Sequence, residues 1–113
     1  MEFPVALEAL SALAHGHRLA VFRLLVRAGS EGLAAGTLAH EIGVLPNTLS
    51  SHLTILSHAG LIRVRREGRS LIYSADHDGM RDLLSFLAAD CCDGRPEICL
   101  PLAALGQTCG GAA

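Results

Sequence analysis

The sequence predicts a small, mainly α-helical domain carrying one short β-hairpin, and three observations predict it. Apolar residues recur at helical spacing in five separate segments. Half of the 113 residues are hydrophobic but only 4% are aromatic, so a core of Ala, Leu, Val and Ile is expected, which suits packed helices better than a sandwich of strands. Two short runs, 61–64 and 71–73, flank the turn Arg66-Glu67-Gly68-Arg69 and read as paired strands. A chain of this length has room for one core. The domain is expected over residues 1–92, with a Gly/Pro-containing tail over 93–113.

The elements follow in order. Ala6, Leu10 and Leu13 stand at i, i+4, i+7 and predict a first helix. After the break at His15-Gly16-His17, Leu19, Phe22, Leu25 and Val26 continue a second helical face. Residues 29–36 read as a loop, with Thr37 expected to cap a short helix that turns Leu38, Ala39 and Ile42 inward and stops at Gly43. Leu49, Leu53 and Leu56 form the apolar back of the next helix, whose other faces carry Asn47, Thr48, Ser50, Ser51 and Thr54. This pair has the proportions of a helix-turn-helix. Ala59-Gly60 ends it, the hairpin follows as a wing, and Asp76 is placed to cap a last helix with a stripe at Met80, Leu83, Leu84 and Leu87. The predicted fold is therefore a winged helix-turn-helix in the order α-α-α-α-β-β-α.

Composition narrows the function. No apolar run reaches the ~18–20 residues that cross a bilayer, and the first residues lack the basic start of a signal peptide, so no membrane association and a cytoplasmic location are expected. A net charge of −2 argues against indiscriminate coating of nucleic acid. The charge is sorted by region, however: residues 61–75 hold Arg63, Arg65, Arg66 and Arg69 against Glu67 alone, while 76–93 hold five acids and only Arg81. No Ser-His-Asp, paired-carboxylate or phosphate-loop signature is present, so an enzyme is not expected.

A helix face of Asn, Thr and Ser suits the DNA major groove, because it offers donors and acceptors without the desolvation cost of charges. Asn47, Thr48, Ser50, Ser51, His52 and Thr54 are the candidate base or backbone contacts, and Arg65, Arg66 and Arg69 the candidate phosphate contacts. His52 has a second reading as a packed structural histidine.

The segments Leu10-Ser11-Ala12-Leu13-Ala14, Arg18-Leu19, Leu38-Ala39, Thr48-Leu49-Ser50-Ser51-His52-Leu53, Leu61-Ile62-Arg63 and Arg66-Glu67-Gly68-Arg69 resemble the ArsR/SmtB-type metalloregulatory repressors. The resemblance runs from about Leu7 to Leu87. It implies a homodimer paired through its first and last helices, reading double-stranded operator DNA as an imperfect palindrome. Pro46 and Asn47 stand where many relatives carry Gln-Pro, and Gly16 where a proline is usual.

All four cysteines lie after residue 90, where they cannot staple the body of a domain, so a reduced thiol site is expected rather than a disulfide framework. Cys91 and Cys92 are adjacent, and Cys99 follows six residues later. Adjacent cysteines do not readily close on each other, but both can bind one soft atom. Three thiolates without an obvious fourth ligand suit As(III) or Sb(III), whereas structural zinc wants four ligands. The resemblance adds an absence: many arsenic sensors of the family carry Cys-x-Cys on the third helix, where Ala34 and Gly36 stand here. Other members bind zinc on the last helix through histidines, yet none follows His77. The expected inducer site is thus Cys91, Cys92 and Cys99, with Cys109 an unligated thiol or a fourth ligand for Zn or Cd. The alternatives are a redox or persulfide sensor pairing Cys92 with Cys99, and a thiol metal-binding protein that does not bind DNA.

Overall fold

A computed structural model describes residues 1–88. Its elements are α1 (Phe3–Leu13), α2 (Gly16–Ala28), a 3-10 turn (Gly29–Glu31), β1 (Leu33–Ala34), α3 (Ala35–Ile42), α4 (Pro46–His58), β2 (Ile62–Glu67), β3 (Ser70–Ala75) and α5 (His77–Ala88). This is the predicted winged helix-turn-helix, mainly α with a small hairpin, plus one strand the sequence reading placed in a loop. Met1–Leu83 form one compact unit; of the second, Leu84–Ala113, the described part is the end of α5. The boundary expected at residue 92 lies outside the described residues.

The helix ends have local causes. Pro4 opens α1 and Pro46 opens α4, each in the first turn, where a missing N–H costs nothing and the fixed φ suits the helix. His15 caps α2 through Nδ1, which accepts from the His17 N–H at 3.1 Å. Gly43 ends α3 in the left-handed region (φ 80°, ψ 35°), with its own N–H and that of Val44 donating to the Ala39 carbonyl. Only a residue without a Cβ adopts that conformation at little cost, and it is what turns the chain from α3 into α4. Thr37 does not cap α3: the helix begins two residues earlier, after Ala34, without a side-chain cap. Asp76 does cap α5, its Oδ1 accepting from the Gly79 N–H at 3.0 Å.

The core is built from Val21, Phe22, Leu25, Leu38, Leu49, Leu53, Leu56, Leu61 and Ile62, all buried. Against it α1 turns a face of alanines, Ala6, Ala9 and Ala12; of the stripe read from its sequence Ala6 is buried as expected and Leu13 half-buried. Leu10, expected inward, is 39% exposed, and Val5 and Leu7 are exposed with it. Small side chains let α1 approach α2 and α4 closely, and leave its large ones outside.

The sheet has the order β1-β3-β2, antiparallel throughout. β2 and β3 pair from Ile62↔Ala75 to Glu67↔Ser70, leaving the two-residue loop Gly68-Arg69. β1 pairs Leu33 with Tyr73 and Ala34 with Ile72. Only Ile62 of β2 is buried, so the hairpin projects from the core as a wing.

Candidate nucleic-acid interface

The α4 helix divides cleanly. Leu49, His52, Leu53 and Leu56 are buried, at i, i+3, i+4, i+7, and hold the helix against the core. Asn47, Thr48, Ser50, Ser51 and Thr54 are all exposed, and none carries a charge. Thr54 donates its hydroxyl to the Ser50 carbonyl at 3.0 Å. It borders a shallow groove against Glu8 and Ser11 of α1, so the freest polar groups are those of the first two turns.

Of the two places expected for His52, the interface and the packed interior, it takes the second. It is 9% exposed, turned inward to the rings of His15 and His17. Burial first, then the nearby charges of His15, Arg18 and His17, lowers its pKa below the ordinary imidazole value, disfavouring the charged form. Its position three residues after Leu49 and four before Leu56 was the signal for this, because it completes the apolar stripe.

The wing arginines fall into two kinds. Arg65 was expected at a phosphate, but its guanidinium is engaged within the fold. Nε pairs with Glu67 at 2.7 Å, and the two terminal nitrogens donate to the carbonyls of Ser30 and Glu31 at 3.1 and 2.8 Å. It thereby ties the wing to the 3-10 turn. Arg63 pairs with Asp76 at 3.1 Å and Asp78 at 3.5 Å, which raises its pKa through the hydrogen bond and charge of Asp76. Burial pushes the Asp76 carboxyl up, but the Gly79 N–H and Arg63 outweigh it and hold its pKa below the ordinary carboxylate value. Arg66 and Arg69 make no ion pair among the described residues and are exposed beside and within the hairpin loop.

The described residues therefore assemble an uncharged polar helix face and a wing bearing two unpaired cations. Cys91, Cys92, Cys99 and Cys109 lie outside the described residues. No helix among the described residues is long and apolar enough to cross a membrane.

A two-helix reader and a hairpin wing on one small core define a winged helix-turn-helix regulator, and comparison with known proteins agrees. The helix-turn-helix domain family matches residues 13–65. The chain is 35% identical over 79 residues to the nodulation protein NolR of Rhizobium meliloti; the match covers 70% of this chain and 62% of that protein, so it spans less than two thirds of that relative. Among solved structures, it is similar to the homodimeric winged helix-turn-helix DNA-binding domain Mb0332 of Mycobacterium bovis, described as a possible ArsR-family transcriptional regulator. There the identity is 30% and the TM-score 0.63, covering 77% of this chain and 80% of that one. A second structure, described as a possible transcriptional regulator for arsenical resistance, is 27% identical with a TM-score of 0.64, covering 73% and 82%. The chain belongs to the ArsR/SmtB type of helix-turn-helix transcriptional regulators.

Proposed function

We propose that this chain is a transcriptional repressor that binds operator DNA as a homodimer and releases it when As(III) or Sb(III) is captured by Cys91, Cys92 and Cys99. The observation that carries the DNA reading is the exposed, uncharged face of α4 beside the unpaired Arg66 and Arg69. In this reading Asn47, Thr48, Ser50 and Ser51 face base edges or backbone in the major groove. Arg66 and Arg69 meet phosphates and set the register. Dimerisation is supported by apolar side chains left outside on two helices: Val5, Leu7 and Leu10 of α1, and Leu84 and Leu87 of α5, are between 39% and 58% exposed. The homodimeric relative supports it too.

The inducer is carried by the donor set. Three thiolates in a nine-residue stretch suit a soft, three-coordinate acceptor, and the relative described in terms of arsenical resistance supports that choice. Capture acts through differential affinity for the DNA-competent and released states; a 100-fold loss of operator affinity needs about 2.7 kcal/mol of coupling.

The test is a gel shift with promoter DNA. Arsenite is expected to dissociate the wild-type complex and to leave complexes of Cys91→Ser, Cys92→Ser and Cys99→Ser intact. A wild-type complex indifferent to arsenite, or variants that still respond, refutes the inducer assignment. Failure to retard any promoter fragment refutes the DNA reading itself.

A further inference from the structure

Three imidazoles meet where α1 passes into α2. His15 and His17 face His52 of α4, with ring centroids 4.6 Å apart for His15 and His52, 5.6 Å for His17 and His52, and 5.5 Å for His15 and His17. One ring nitrogen of each lies within 4.8 Å of the others. His15 and His17 are exposed while His52 is buried, so the cluster opens to solvent on one side and rests on the core on the other.

Two further features suit a ligand. The His52 Nδ1 is buried without a hydrogen-bond partner among the described residues, a destabilising state unless something binds it. The His15 Nδ1 accepts from the His17 N–H, so in the neutral ring Nε2 carries the proton, and His15 ligates by giving up that cap bond, either offering Nδ1 itself or moving its proton to Nδ1 to offer Nε2. The neighbouring cation, Arg18, is drawn aside, its Nε donating to the Ala12 carbonyl at 2.6 Å.

We propose that His15, His17 and His52 form a thiol-free site for a borderline divalent cation of the zinc class, bound by three imidazoles with a fourth position open to water. Imidazole nitrogen suits zinc, copper and nickel, and three nitrogens with an open position is a familiar zinc arrangement. Bonds of 2.0–2.1 Å in tetrahedral geometry put ligand nitrogens about 3.4 Å apart. The widest separation must therefore close by about 1.4 Å, within reach of side-chain rotation at the exposed His15 and His17. Such an ion ties the start of α2 to α4, the helix that carries the polar face. The site uses none of the cysteines and stands independently of the arsenic reading.

The experiment uses the full-length chain with Cys91, Cys92, Cys99 and Cys109 all replaced by Ser, titrated with Co(II) alone. The expected result is one Co(II) per chain, with four-coordinate visible bands, no sulfur charge-transfer band, and displacement by Zn(II). His17→Ala and His15→Asn, the latter keeping a cap acceptor for α2, are each expected to weaken binding at least tenfold, with metal-free circular dichroism unchanged. Absence of those bands in the cysteine-free chain, or unaltered affinity in both histidine variants, overturns the proposal. Whether arsenite acts on the wild-type chain is read separately and does not bear on either outcome.

Discussion

Replacing Arg66 and Arg69 together by alanine separates the two kinds of wing arginine. Neither side chain makes an ion pair among the described residues and both are exposed, so stability is expected to stay within about 0.5 kcal/mol of wild type. Binding is expected to suffer instead. Each phosphate contact contributes about 0.9 to the slope of log affinity against log salt, so a dimer that loses two contacts per chain loses about 3.6 in slope. At 0.15 M salt the same loss amounts to roughly a hundred- to thousand-fold in affinity. Arg65→Ala is the control with the opposite signature. It removes the links to Glu67, Ser30 and Glu31, which at 44% side-chain exposure are worth about 1 kcal/mol after screening. Its Tm is expected to fall by a few degrees, with the salt slope unchanged. Fluorescence anisotropy on promoter DNA at several salt concentrations, alongside thermal melts, reads both. Equal slopes for wild type and Arg66→Ala/Arg69→Ala, or a flattened slope for Arg65→Ala, would refute the division.

Other outcomes follow from single contacts. Gly79→Ala reverses the usual helix preference: a Cβ there collides with the Gly60 carbonyl oxygen, which is backbone and cannot swing aside. A loss of about 1–3 kcal/mol is expected in urea unfolding where a free helix would gain. Asp76→Ala removes the α5 cap and the Arg63 partner and is expected to cost about 1 kcal/mol at neutral pH. Because the folded pKa of Asp76 lies below its ordinary value of 3.8, that contribution is full above 3.8 and is lost as pH falls through the folded value. The difference between wild type and variant should therefore vanish in strong acid. Leu7→Lys, at a position 58% exposed in the single chain, is expected to leave the monomer folded and shift sedimentation towards it; an unchanged dimer would remove α1 from the interface.

Much of the reader was legible because it rests on local rules. The Gly43 turn, the Leu49-Leu53-Leu56 stripe and the turn between the wing strands are short-range features that periodicity and backbone conformation dictate. The misreadings share a different cause. A face of small residues carries little hydropathy signal, so the alanines of α1 were outweighed by Leu10, which lies outside. β1 is two residues long and exists only because β3 offers it an edge, which no local pattern announces.

The sequence by itself determined the order of helices and wing, the uncharged face of α4 and the gathering of cysteines beyond residue 90, since each depends on residue type and spacing along one stretch of chain. Only the tertiary structure decided which polar groups remain available. Arg65 is held by carbonyls more than thirty residues away, and His52 meets two histidines equally distant along the chain, at the junction of α1 and α2. A hydrogen bond or a ring contact between distant segments forms when folding brings them together, and spacing within either segment alone carries no record of it.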